Sequence, residues 1–299
     1  MLGTLIIVFV PLILLAALAF VRQPSRLQFW LYTLALGLAV VYMWLVFPWA
    51  YVSTLYRVVL PLLLIAAVYM GYRRIGTQTK AVARWQMLMN VSINLLLVVF
   101  MGGLCGFAIK GYFQPPGAID LSSPFREGTF IVGHGGSSPF INAHAKVRPQ
   151  NHALDILGLN AWGNRKDPFS DLKDLDSYAI FDKPLYSPCE GEVLLAVDGL
   201  EDLLPPAMDR ENLAGNHVVI ACLGVKVVLA HMKKGSILVT EGQQLDTDTQ
   251  LGNVGNSGNT SEPHLHIHAE TGAETPLILK GDAVPITIDG RYLVRGSIL

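Results

Sequence analysis

The sequence predicts a two-part chain: an α-helical bundle that spans a membrane four times, then a mainly antiparallel β domain. Three observations predict this. Charge is divided, since no Asp or Glu precedes Asp120 and no His precedes His134. With 52% hydrophobic and 15% charged residues and a mean hydropathy of +0.42, the chain is too apolar for one ordinary soluble domain. Beyond residue 128 the apolar residues fall instead into short segments bounded by Gly, Pro, Asn and Asp, as strands do.

Taken in order, the apolar runs cover residues 2–21, 27–47, 58–72 and 87–109. The first, second and fourth match the roughly 20 residues a helix needs to cross a bilayer. The third reaches that length only by including residues 52–57, which makes Arg57 snorkel toward an interface. Trp30, Trp44, Trp49, Tyr51, Tyr56 and Trp85 fall at or near the ends of the runs, where amphipathic rings prefer to sit. Arg22 and Arg26 join the first two runs, and Arg73, Arg74, Lys80 and Arg84 join the last two. The positive-inside rule puts both connections in the cytoplasm, so both termini and everything after Lys110 face the periplasm or exterior. The first run lacks a basic n-region and an obvious cleavage site, and reads as a retained helix. Asn90, Ser92 and Asn94 read as interhelical hydrogen-bonding groups. No intramembrane carboxylate is present to carry ions, so the helices, residues 1–110, read as an anchor rather than a transport path.

Residues 111–128 are rich in Pro, Gly and Ser and read as a linker. The domain at 129–299 shows strand-like segments at 129–132, 153–157, 191–197, 217–222, 225–231, 264–270 and 285–288. A tight hairpin is expected at residues 223–225, and 198–215 is too long for a turn. Of the 22 basic residues 8 lie before residue 120, leaving 14 against 23 acidic residues, a formal net of −9. That balance argues against nucleic acid or anionic lipid as the domain's partner.

Chemistry concentrates in GNVGNSGNTSEPHLHIHAE, residues 252–270. His264, His266 and His268 alternate with Leu265, Ile267 and Ala269, which places three imidazoles on one sheet face and apolar partners in the core. Each ring nitrogen needs a partner, so the pattern points to a metal or a proton-transfer site.

These residues belong to a longer run that resembles the lysostaphin-like, or LytM-type, zinc metallopeptidases of peptidoglycan. A strand ending in Ala230-His231-Met232, a V-x-x-G-Q segment, a G-x-x-G-x-[ST]-G loop and an H-L-H strand follow one another, and YSPCEGEVLLAV upstream resembles the family's P-x-x-G-x-V strand. The resemblance implies a mainly antiparallel β metallopeptidase domain and one catalytic zinc. It assigns His266 and Asp155 to the metal and His231 and His264 to proton transfer and oxyanion stabilisation. The family's first motif is H-x-x-x-D, but Asn151 stands four residues before Asp155. His152 lies three before it and reaches the same face only through a bulge. His144, eleven before it in FINAHAKVRPQ, fits a subset of the family with Q-x-x-A-x-D and an upstream N-x-H; it is the favoured third ligand, with His152 the alternative.

His268 is open between a structural, a metal-supporting and a substrate-facing role, and His134 in VGHGGSS between a cleft-lining and a structural one. His217 reads as a strand-edge residue, and Asp182, Asp198 and Glu192 as solvated. The loop at 255–261 lacks the Lys of a phosphate cradle and reads as one wall of a peptide groove. Cys189 and Cys222 lie on the side where a disulfide can persist; pairing and two buried thiols remain open.

The expected function is that of a membrane-anchored zinc endopeptidase acting on peptidoglycan stem peptides or cross-links, held by the lipid bilayer and answering to an unidentified protein regulator. The four-helix anchor, the acidic domain and the absence of wall-binding repeats suggest a multi-pass protein of a Gram-negative inner membrane. The alternatives are an inactive LytM-like module that recognises peptidoglycan or activates another hydrolase, and a transporter or sensor with an external domain.

Overall fold

The computed structural model describes residues 2–23, 25–75 and 83–299, with side chains from Ile7 onward. Lys80, one of the residues used for orientation, lies outside the described residues. The chain divides into two compact units, Met1–Ile109 and Lys110–Leu299.

The first unit is built of apolar helices: α1 (Leu2–Phe20), α2 (Arg26–Val46), α3 (Thr54–Tyr72) and α4 (Arg84–Lys110). Ser25 caps α2 by accepting the Gln28 N–H at 3.2 Å, and Ser53 caps α3 by accepting the Leu55 N–H at 3.1 Å. Helices α1 and α3 approach at Gly71, where a Cβ would stand 2.4 Å from the Leu18 carbonyl oxygen, the close approach small residues permit between membrane helices. Helices α2, α3 and α4 are long and apolar enough to cross a bilayer; in α1 the stretch Ile7–Phe20 is apolar but shorter. By length and composition, the described residues therefore hold three of the four expected spans. Helix α3 begins early enough to include Arg57, whose guanidinium sits 3.9 Å over the Trp44 ring. Asn94 donates to the Asn90 carbonyl at 2.8 Å within its own helix rather than across to another.

The second unit is a mainly antiparallel β domain. Its strands are β1 (Ile119–Leu121), β2 (Phe130–His134), β3 (Leu154–Gly158), β4 (Pro184–Tyr186), β5 (Gly191–Val197), β6 (Asn216–Cys222), β7 (Val225–Met232), β8 (Gln244–Leu245), β9 (Gln250–Asn253), β10 (Leu265–Glu270), β11 (Ala283–Val284) and β12 (Ile286–Ile288). The main sheet runs β2-β3-β10-β7-β6-β5-β8, with β11 added to β10. Strands β4 and β9 form a separate pair that packs Leu185 and Leu251 into the core. The segment read as a linker is not wholly irregular: β1 lies within it and pairs in parallel with β12. Three residues defined by a distant partner carry no alternation of their own, which is why composition alone reads them as linker.

The core lies on one face of the sheet, where Leu265 and Ile267 of β10 meet Val227 and Leu229 of β7 and Val218 and Ile220 of β6. Leu223 (φ 53°) and Gly224 (φ 81°) make the expected tight turn between β6 and β7. Positive φ at both central residues matches the twist of the strands they join. Cys189 and Cys222 are bonded, with their Cα atoms 6.2 Å apart.

Candidate metal and proton-transfer site

The site is a row of cross-strand neighbours. In the sheet register His134 stands opposite Asp155, Asp155 opposite His266, and His266 opposite Ala230. Directly opposed residues present their side chains on the same face, so β2, β3 and β10 place His134, Asp155 and His266 side by side. Because that face is opposite to Leu265 and Ile267, the alternation of β10 separates the chemistry from the core.

His144 joins from outside the sheet. Asn142 is fully buried and its Nδ2 donates to the carbonyls of Gly136 at 2.8 Å and Ala153 at 3.1 Å, tying the chain to the start of β3. Its Oδ1 accepts the His144 N–H at 3.0 Å, capping the short 3-10 turn Ala143–Lys146 that carries the imidazole. His144 Nε2 then lies 2.9 Å from Asp155 Oδ2, and His266 Nδ1 lies 2.9 Å from Asp155 Oδ1. One ligand atom from each of His144, Asp155 and His266 lies within 4.8 Å of the others. His152 is not in this group; its Nδ1 is buried without a hydrogen-bond partner.

His231 ends up beside the row although strand alternation from Ala230 would put it on the other face. Its φ of 64° breaks the alternation. A bulky residue in the left-handed region is strained, and such strain persists where surrounding structure enforces it. Here the Ala214 carbonyl accepts the His231 N–H at 2.9 Å, the His231 carbonyl accepts the Gly255 N–H at 3.0 Å, and the His231 Nδ1–H donates to the Ser257 carbonyl at 2.9 Å. The His231 ring centroid is 4.9 Å from that of His264 and 5.8 Å from that of His266. His264 is fixed in the same manner: its Nδ1–H donates to the Glu262 carbonyl at 2.9 Å, and its Nε2 faces Asp155 Oδ1 at 3.6 Å. Both Nδ1 positions meet acceptors, so both rings keep Nε2 as the free acceptor.

The loop expected to wall a groove is mostly an internal frame. Asn256, Ser257 and Thr260 are buried, with only Asn259 and Ser261 exposed, and their carbonyls and hydroxyls orient the two rings. Glu262 is held in turn by Arg165, Nε to Oε2 at 2.7 Å, with both side chains largely buried. Nothing in the sequence pairs these two residues, which are 97 positions apart.

The electrostatics follow from burial around one carboxylate. Burial alone would raise the Asp155 pKa, but His264 and hydrogen bonds from His144 and His266 hold it well below the usual value. Burial opposes a charged His144, yet Asp155 and Gln150 outweigh it and raise that ring's pKa. Burial lowers the pKa of His266 despite Asp155, and pushes His231 well down with help from His264 and His266. His134 is pushed down to about 4, by burial first and then by Arg295, against the pull of Asp155. Its Nδ1 accepts from Arg295 Nη2 at 2.7 Å and from the Ala143 N–H at 3.1 Å, so Nε2 carries the proton.

His268 extends the row, its Nδ1 3.0 Å from His266 Nε2, and its own Nε2 is buried without a partner. His217 donates Nδ1–H to the Gly215 carbonyl at 2.7 Å, away from the cluster. Asp182 pairs with Lys233 at 2.8 Å, Asp198 accepts the Gly235 N–H at 2.8 Å, and Glu192 accepts from Gln244 at 3.0 Å. None of these three joins the cluster.

Residues 175–277 match the profile of Peptidase family M23. The chain carries an M23 domain. The matched region includes His231, His264 and His266, while His144 and Asp155 lie upstream of it. No curated protein matches the chain. Among solved structures, the chain is similar to a zinc-containing peptidase from Vibrio cholerae at 18% identity and TM-score 0.25, over 44% of this chain and 50% of that one. It is also similar to the catalytic domain of lysostaphin from Staphylococcus simulans, at 16% identity and TM-score 0.24, over 39% of this chain and 86% of that one. A third likeness is to the SpoIIQ-SpoIIIAH pore-forming complex, at 11% identity and TM-score 0.35, over 59% and 92%. The chain thus spans half the length of the Vibrio cholerae protein it matches.

Proposed function

We propose that this chain is a membrane-anchored, zinc-dependent endopeptidase that hydrolyses peptide bonds in peptidoglycan stem peptides or cross-links. The observation that carries the reading is the convergence of His144, Asp155 and His266, with ligand atoms within 4.8 Å, beside the rings of His231 and His264. Two imidazoles and a carboxylate are a donor set suited to a catalytic zinc that keeps one position open. His144, Asp155 and His266 would hold the ion. When bound, zinc lowers the pKa of its water to about 7 and polarises a carbonyl.

The remaining steps belong to the protein. His231 and His264 present Nε2 as acceptors because the Ser257 and Glu262 carbonyls accept hydrogen bonds from their Nδ1–H groups. They take a proton from the attacking water, return it to the leaving amine and, once protonated, stabilise the developing oxyanion. His268 accepts from His266 Nε2–H when Nδ1 serves the metal, fixing that ring's tautomer. Asn151, in place of the first motif's histidine, is the feature that would fit an inactive module; His144 reaching Asp155 by another route favours the enzyme.

The proposed layout is an anchor at 1–110 with four spans, a linker at 111–128 and the peptidase domain at 129–299, in a multi-pass inner-membrane protein whose domain lies in the periplasm or exterior. The bonded Cys189 and Cys222 support an oxidising compartment. The test is hydrolysis of peptidoglycan fragments by the purified, zinc-loaded full chain in detergent. Activity abolished by a chelator and in Asp155→Ala, His231→Ala and His264→Ala supports the proposal. A folded, zinc-loaded chain that hydrolyses nothing sinks it.

A further inference from the structure

A cavity of about 290 Å³ opens against the metal cluster, with His144, His231 and His266 on one side. Its other walls are aliphatic: Val147 and Leu213, Val228 from β7, and Ile278 and Leu279 from the loop after β10. The remaining polar lining is Gln150, Asn259 and His268, and no Asp, Glu, Lys or Arg lines it among the described residues. A charged side chain placed against the aliphatic walls would be desolvated with no oppositely charged Asp, Glu, Lys or Arg in the lining, whereas an aliphatic one would exchange water for carbon along those walls.

The wall formed by Ile278 and Leu279 is fixed from behind. Glu270 is fully buried, and its carboxylate accepts N–H groups from Leu279 at 2.8 Å, Lys280 at 3.1 Å and Gly281 at 2.7 Å. Lys226, also buried, lies 3.7 Å from Glu270 and donates to the Leu277 carbonyl. Leu279 is held at φ 60°, and at Gly281 a Cβ would stand 2.2 Å from the Thr271 carbonyl oxygen. A loop clamped by three backbone donors and a buried ion pair presents a preformed surface, so little ordering remains to be done when a ligand arrives.

We propose that this cavity is the subsite for one uncharged aliphatic residue of the peptide, the residue flanking the bond at the metal cluster, and that it excludes residues with charged side chains. The inference rests on the endopeptidase reading for the position of the bond, but the selectivity follows from the cavity lining alone.

The test uses the full chain in detergent, loaded with zinc, and a set of short peptides differing at one residue: Ala, Leu, Lys or Glu. Cleavage is measured with the wild type, and equilibrium binding with His264→Ala. Ala and Leu peptides are expected to bind, and to be cleaved by kcat/KM, about tenfold or more better than the Lys and Glu peptides. In Leu213→Glu, at a site 46% exposed where the fold is at little risk, the discrimination against Lys is expected to collapse. Binding discrimination without any cleavage would leave the subsite standing while removing the hydrolase reading. Charged peptides handled as well as aliphatic ones, discrimination unchanged in Leu213→Glu, or no binding of any peptide by a folded chain would each overturn the inference.

Discussion

Arg165 reaches Glu262 at 2.7 Å, and the carbonyl of Glu262 receives the Nδ1–H of His264. A loop therefore sets the orientation of one ring of the proposed proton-transfer pair without touching the proposed metal ligands. Arg165→Met is expected to lower kcat about 10- to 100-fold with KM little changed, by analogy with the loss of other supporting partners. Arg165→Lys should recover part of the loss. Steady-state kinetics on a zinc-loaded chain checks this, and a rise in KM alone would refute it.

Metal content separates the two candidate histidines. Elemental analysis of the purified full chain should give about one zinc per wild-type chain, as a single three-ligand site requires. His152→Ala should retain it and His144→Ala should lose it, because only His144 approaches Asp155. Retention of full zinc by His144→Ala would remove that residue from the ligand set.

The buried pair of Lys226 and Glu270 makes an asymmetric prediction. Glu270→Leu leaves a buried ammonium and three backbone N–H groups without their acceptor, and should destabilise the β domain by about 3–5 kcal/mol. Lys226→Met leaves the carboxylate with all three N–H donors and should cost less. Urea denaturation of both variants gives the order directly.

His217 supplies a pH dependence away from the cluster. Burial lowers its pKa, and the Gly215 carbonyl only partly offsets that. The unfolded ring titrates near about 6.5. As pH falls below that value the unfolded state binds more protons than the folded state, so stability drops until the folded ring also protonates; above it the contribution is constant. His217→Gln should therefore lose less stability than the wild type between pH 7.5 and 5.5, as denaturation midpoints at the two pH values would reveal. Equal losses would refute the assignment.

Strand β10 is legible through its own alternation, Leu265 and Ile267 inward and His266 and His268 outward, and β6 and β7 as near-continuous apolar runs bounded by turn residues. Strands β1, β8 and β11 are not, since two or three residues acquire their register only from a partner. The alternation also misplaces His231, because a positive φ is enforced by contacts with Ala214, Ser257 and Gly255 that no local pattern records. His144 was legible only through family resemblance, and the link from Arg165 to Glu262 not at all, since both depend on loops meeting in space. The glycine loop misleads for the opposite reason. Its polar composition suggests an exposed wall, yet Asn256, Ser257 and Thr260 are buried because their side chains bond the backbone around them.

Asp155 and His266 lie 111 positions apart and become neighbours only when β3 and β10 pair. An emerging chain that stops short of Leu265 can bring together His144 and Asp155 but lacks the third donor. A metal held by the three proposed ligands would thus be captured late, on closure of the sheet, and its affinity would add to the stability of the finished domain rather than of any earlier piece. On the proposed topology, a chain translocated in extended form would cross the bilayer without a completed site, and the proposed metal cluster would be assembled only on the far side.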